Sequence, residues 1–153
     1  MKSLIVCVSI AHGNTGRVAE RRAEVLHAEV VEPEAVDLEA LHQYDLVGFG
    51  SGVYFMAVHP RLWRLVCRLP RVDGVGAFTF FTSGAPEVPL VRQLAAKGFG
   101  VLDSFSCRGF DAVGLLRLLG GVNKGRPNNR DLDRAAAFAV RLRERVARSQ
   151  PGS

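Results

Sequence analysis

The chain has 153 residues, 48% of them hydrophobic and 23% charged, which suffices for one domain with a sizeable apolar core and is cramped for two. No run approaches the roughly 18 uninterrupted apolar residues of a membrane-spanning helix, and no small-residue cleavage site follows the apolar stretch Leu4–Val8, so a cytoplasmic protein without a secretory signal is expected. Lys and Arg number 20 against 15 Asp and Glu, a formal charge of +5 that admits an anionic partner; the bases are spread through every segment without interleaved aromatics, so nucleic acid is not the expected one.

Short apolar runs alternate with stretches of helical spacing, and the runs lack the in-and-out alternation of a half-exposed sheet. That pattern belongs to a parallel sheet covered on both faces. Strand one is expected over Leu4–Val8. After a glycine-rich turn at Gly13, Ala19, Ala23 and Leu26 recur at helical spacing, with Val18 and Val25 widening the apolar face. Strand two is expected near Glu29–Val31 and strand three at Leu46–Phe49. Pro60 suits the first turn of a helix, in which Leu62, Trp63, Val66 and Leu69 form a core face until Pro70 stops it. Strand four follows at Ala77–Thr82, then a helix with Leu90, Val91 and Leu94 that ends at Gly98, and strand five at Val101–Ser106. The segment Gly109–Arg130 is too apolar to lie in solvent and is expected to form a short helix over the sheet edge or the mouth of a site. The last helix takes Asn129 or Asp131 as its cap and turns Leu132, Ala135, Ala136, Ala139, Leu142 and Val146 inward with its arginines outward. Residues 1–148 thus form one domain, and Ser149–Ser153 is a disordered tail with too little apolar content to pack.

The isolated reactive residues offer little chemistry. Cys7, Cys67 and Cys107 are odd in number and contain no CxxC pair, which argues against a disulfide framework and a cysteine-built zinc site. Cys7 lies in a buried strand and should be inert, whereas Cys107, at a strand end, is the thiol expected to react. His27 and His42 read as solvated helix-end residues and His59 as the start of a turn. The four histidines share no metal-ligand spacing, so no metal is expected. Ser9 has no GxSxG context that would make it a nucleophile.

In an open parallel sheet, ligands bind beyond the carboxyl ends of the strands. The first such loop, Ser9-Ile10-Ala11-His12-Gly13-Asn14-Thr15-Gly16, offers hydroxyls from Ser9 and Thr15, an amide from Asn14 and glycines that let backbone N–H groups turn inward at a helix N-terminus. Such a cradle binds a phosphate dianion without a lysine. On spacing alone, an ordinary strand-to-helix turn with a polar cap fits equally well, and His12 is either a phosphate contact or a surface residue. Gly120–Gly125 is followed by Arg126-Pro127 and fails as a Walker A loop, and no GxGxxG follows strand one. After strand three, Tyr54 and Phe55 can supply an aromatic face while Gly50, Ser51 and Gly52 let main-chain groups approach a ligand ring, and Ser83 and Gly84 can do likewise from the next loop. The competing reading has Tyr54 and Phe55 plugging the core.

These loops together resemble the flavodoxin-like family. His12-Gly13-Asn14-Thr15 is similar to its phosphate loop, Tyr44 through Phe55 to its third strand and first flavin loop, Phe80-Phe81-Thr82-Ser83-Gly84 to its fourth strand and second flavin loop, and Phe105 through Asp111 to a segment after strand five. The resemblance runs in order over nearly the whole chain. It implies a three-layer α/β sandwich with a five-stranded parallel sheet of order 2-1-3-4-5. It also implies non-covalent FMN, held by Ser9, His12, Gly13, Asn14, Thr15 and Gly16 at the phosphate and by Ser51, Gly52, Val53, Tyr54, Phe55, Thr82, Ser83 and Gly84 around the ring. The function implied is electron transfer between protein partners, with an NAD(P)H-dependent quinone or FMN reductase as the alternative on the same fold. A response-regulator-like domain would need acidic residues after strand one, and Ser9–Thr15 has none. Two departures stand out: Ala11 replaces a frequent hydroxyl, and no tryptophan occupies the ring loops. Carriers of this family are typically acidic and this chain is basic, which points to a redox partner protein with an acidic surface and to neither nucleic acid nor membrane.

Overall fold

A computed structural model describes residues 1–8, 14–51, 53–54, 57–81, 88–106 and 129–149. Five parallel strands form its sheet: β1 (Ser3–Val8), β2 (Glu29–Val31), β3 (Leu46–Ser51), β6 (Gly76–Phe81) and β7 (Gly100–Ser106), in the order β2-β1-β3-β6-β7. This is the order 2-1-3-4-5 expected of the five main strands. Two short strands, β4 (Val53–Tyr54) and β5 (Ala57–Val58), make a separate antiparallel pair that the sequence reading did not foresee. Strand four was expected to include Thr82, which lies outside the described residues; β6 as described ends at Phe81.

All six residues of β1 are buried, because helices cover both faces of the sheet and leave no solvent side for polar residues. Alternation divides them: Leu4, Val6 and Val8 join one core, Ile5 and Cys7 the other. On the first face pack α2 (Pro60–Arg68) and α3 (Val88–Ala96), through Leu62, Leu65, Val66, Leu90 and Leu94. On the second pack α1 (Asn14–Leu26) and α4 (Asn129–Ser149), through Val18, Ala19, Leu26, Phe138, Ala139, Leu142 and Val146. Gly98 ends α3 at φ +92°, and a Cβ there would collide with the Val72 carbonyl, so the stop is fixed by both conformation and space. Arg145 ties α4 to β7 through the Leu102 carbonyl at 2.6 Å and the Asp103 carboxylate at 3.2 Å.

Two expectations need correcting, and a third cannot be compared. Trp63 is 37% exposed and not a core residue: the buried stripe of α2 runs through Leu62, Leu65, Val66 and the following Leu69, which leaves position 63 at its rim. His59 does more than begin a turn, since its Nδ1 accepts the Arg61 N–H at 3.1 Å and its carbonyl accepts from Trp63 N, making it the N-cap of α2 ahead of Pro60. Cys107 lies outside the described residues, and it is Cys67 that is an exposed free thiol. Most of Gly109–Arg130 and the tail from residue 150 onward also lie outside them. Among the described residues no helix is long and apolar enough to cross a membrane, and no three His, Cys, Asp or Glu are grouped to hold a metal.

Candidate functional site

The register brings the C-terminal ends of the central strands level. Val8, Ser51 and Phe81 form one row across β1, β3 and β6, and Cys7, Gly50 and Phe80 form the row one residue behind it. The three loops singled out in the sequence leave from this edge. Of their residues, Ser9, His12, Gly13, Gly52, Phe55, Thr82, Ser83 and Gly84 lie outside the described residues. Asn14, Thr15 and Gly16 open α1, and Val53 and Tyr54 form β4, opposite Val58 and Ala57.

Two hydroxyls at this edge are buried. Thr15, in the first turn of α1, is 2% exposed, and no acidic side chain stands in that turn to compete for its N–H groups. Ser51 closes β3 on the α2–α3 face, because it lies two residues beyond Phe49 and so shares its side of the sheet. It is fully buried, and its Oγ meets no hydrogen-bond partner among the described residues. Such a hydroxyl costs free energy unless something else satisfies it. Ser3 Oγ shares that condition at the opposite end of β1, away from the loops.

Gly50 has a packing role that the sequence did not reveal. It faces α1 and α4, and a Cβ on it would lie closer than 3.0 Å to the ring of Phe80; Gly48 stands likewise to Phe78. These glycines admit phenylalanine rings into the core. The rings stack on each other at 6.0 Å and Phe78 meets Phe138 of α4 edge-on at 6.1 Å.

The sequence reading missed the most unusual residue of this layer. Arg22 is fully buried, with its guanidinium carbon 4.6 Å from the Phe80 ring centre, 4.7 Å from Phe138 and 5.4 Å from Phe78. Its spacing was the available signal: Thr15, Val18, Ala19, Arg22 and Leu26 make one helical stripe, and position 22 is an inward one. Beside it, burial and, secondarily, the charge of Glu32 push the Cys7 thiol up to about 12, so Cys7 is no nucleophile.

In the first turn of α2, Arg61 ties the helix to the turn at Pro33–Ala35. It donates to both carboxylate oxygens of Glu34, at 2.8 and 2.6 Å, and to Glu32 at 3.0 Å. The hydrogen bond from Arg61 holds the Glu34 carboxyl down at about 2. Beyond Arg61 the exposed face of α2 carries Trp63, Arg64 and Arg68, followed by Arg71, and no acidic residue lies between Leu46 and Val72.

Residues 5–75 match the flavodoxin domain family. An uncharacterized protein of Methanocaldococcus jannaschii is 36% identical over 145 residues, covering 91% of this chain and 96% of that protein. Among solved structures, a flavodoxin from the domain Archaea superimposes with a TM-score of 0.68 at 16% identity, covering 96% of this chain and 99% of that one. Oxidised Flavodoxin 1 from Bacillus cereus does so with a TM-score of 0.67 at 16% identity over 94% and 98%.

Proposed function

This chain belongs to the flavodoxin-like family, and from that premise we propose that it binds FMN non-covalently at the carboxyl edge of its sheet and passes electrons between protein partners. The observation that carries this reading is the fully buried Ser51 hydroxyl at the end of β3, level with the strand that leads into the Asn14-Thr15 helix start. A phosphate ester and a ring edge are both rich in acceptors, and the residues present are donors of matching kind: the Thr15 hydroxyl, the first N–H groups of α1 and the Ser51 hydroxyl. The residues fit the cofactor on that ground.

When bound, FMN would supply one- and two-electron redox chemistry. The protein's own work is to hold and to exclude. Asn14, Thr15 and the α1 N-terminus bind the phosphate with donors and the positive end of the helix dipole. Ser51 hydrogen-bonds from the α2–α3 face, and the aromatic residue that follows it in β4, Tyr54, is of the kind that stacks on a flavin ring. The buried rows behind the edge, Val8–Ser51–Phe81 and Cys7–Gly50–Phe80, keep water from below. A partner protein with an acidic surface would complement the Arg64–Arg68–Arg71 face of α2 beside exposed Trp63, since aromatic and arginine side chains together favour interface anchoring.

Purified protein is expected to show a flavin absorption spectrum that acid releases, and after removal of the cofactor to bind FMN one-to-one by calorimetry. A colourless protein that gives no heat with FMN would overturn the reading. Asn14→Ala with Thr15→Ala should weaken binding by about 2–3 kcal/mol through lost charge-assisted donors. Stopped-flow mixing with NADPH decides between carrier and reductase: slow bleaching in the absence of a partner is expected, and rapid bleaching would make the protein an NAD(P)H-dependent reductase.

A further inference from the structure

We propose that Arg22 is a positioning residue for the phosphate end of the cofactor, acting from inside the protein as a buried positive charge on the inward stripe of α1. The inference rests on the FMN reading above and adds a residue that the loop sequence does not contain.

Position comes first. Arg22 shares the inward stripe of α1 with Thr15 and lies seven residues after it, about 10 Å along the axis at 1.5 Å per residue. A long side chain in a helix slants back toward the N-terminus, so the guanidinium approaches the opening turn from below. The rings around it fix its height. Phe80, 4.6 Å away, pairs in register with Gly50, and Phe78, 5.4 Å away, pairs with Gly48, so the charge lies between these two rows, one to three residues behind the last described residues of β3 and β6. The loop between Val8 and Asn14 leaves from that edge.

Environment comes second. A charge in solvent this far from a ligand would be screened by salt over about one Debye length. Arg22 is fully buried beneath Phe78, Phe80 and Phe138, where the effective dielectric is low and screening ions do not enter. The guanidinium keeps its proton there, as arginine does throughout proteins. Its field therefore adds to that of the α1 dipole, along the same helix and with the same sign. An anion at the N-terminus of α1 feels both; a neutral ligand feels neither. The glycines at 48 and 50 make the arrangement possible, because with a Cβ at either position the rings that line the guanidinium would have to move.

The discriminating experiment compares FMN with riboflavin, which has the same ring and no phosphate, on cofactor-free protein by calorimetry or fluorescence quenching. Arg22→Met is expected to weaken FMN about tenfold or more while leaving riboflavin within about twofold, and the FMN preference of the wild type should persist in high salt. Arg22→Lys, which keeps the charge, should recover most of the preference. Replacement of a buried ion by an apolar side chain of similar volume is often tolerated; should Arg22→Met not fold, Arg22→Gln carries the same expectation, and a lysine variant that has lost the preference overturns the proposal by itself. Equal weakening of both ligands by Arg22→Met would reduce Arg22 to a core-packing residue, and an unchanged preference would remove its role in recognition altogether. If the wild type binds neither ligand, the FMN reading itself has failed; if it binds FMN with a preference that ignores Arg22, only this inference has.

Discussion

The two layers that flank the sheet are built by different means. Between the sheet and α2–α3, the core is mostly aliphatic, with Phe49 and Phe99 meeting edge-on at 5.7 Å, and every partner is a side chain whose shape several other residues could supply. Between the sheet and α1–α4, Phe78 and Phe80 occupy the space of the missing side chains at Gly48 and Gly50 and close over Arg22 with Phe138. Glycine normally weakens a central strand. Here it permits an aromatic slab whose members depend on one another, so the first layer is defined by volume and the second by identity. Ser51 faces the first layer and Arg22 lies in the second, so the candidate site draws on both.

The sharpest way to break that contrast is to remove a ring. Phe80→Ala should cost about 3–5 kcal/mol, at the upper end of the range, because it opens a cavity and strips a face from a buried cation at the same time. Leu65→Ala in α2, 7% exposed at the rim of the other layer, should cost about 2 kcal/mol. Urea titration of each variant measures both. Equal losses would mean that the aromatic layer is ordinary packing after all.

Gly50→Ala tests the dependence itself. The added Cβ meets the Phe80 ring closer than 3.0 Å, and the cost should be about 1–3 kcal/mol of overpacking. Gly50→Ala combined with Phe80→Leu should be more stable than the sum of the single losses predicts, by about 0.5–3 kcal/mol, because the smaller side chain vacates the space the methyl needs. Strict additivity in that cycle would contradict the claim that glycine and ring are one unit.

This interdependence also explains which features could be read from the sequence. The five main strands were legible because doubly covered parallel strands are nearly unbroken apolar runs, and their order followed from the family resemblance. The short β4–β5 pair was not, since two residues per strand carry no periodicity. The packing role of Gly50 was not legible because a glycine records only that space is needed, and nothing in the local sequence points to a phenylalanine 30 residues later. Arg22 escaped because pattern reading sorts arginine outward, although its position in the Thr15–Leu26 stripe pointed in. Trp63 failed the other way: hydrophobicity sorted it inward, while a nine-residue helix already filled its buried stripe with Leu62, Leu65 and Val66. Of the candidate site, Asn14, Thr15, Gly16, Ser51, Val53 and Tyr54 are placed near or beyond one sheet edge.

The smallest expected effect concerns the entry to α2, between the β4–β5 pair and the aliphatic layer. His59 caps the helix by accepting the Arg61 N–H on Nδ1, which only the neutral ring can do. Burial, then the charges of Arg61 and Arg64, lower its pKa below the ordinary 6.5, against a weaker opposing pull from Glu34. A folded-state pKa below the unfolded one means stability that is present above about pH 6.5 and is lost as the pH falls through the folded value. His59→Ala should therefore cost about 0.5–1 kcal/mol at pH 8, and the gap to wild type should narrow at pH 5. His59→Asn, whose carboxamide caps without titrating, should match wild type at pH 8 and exceed it at pH 5. Urea midpoints at the two pH values decide the matter: a gap between wild type and His59→Ala that widens in acid would mean that the protonated ring is the stabilising form, and that Glu34, tied to Arg61 at 2.6 Å, attracts it more strongly than the two arginines repel it.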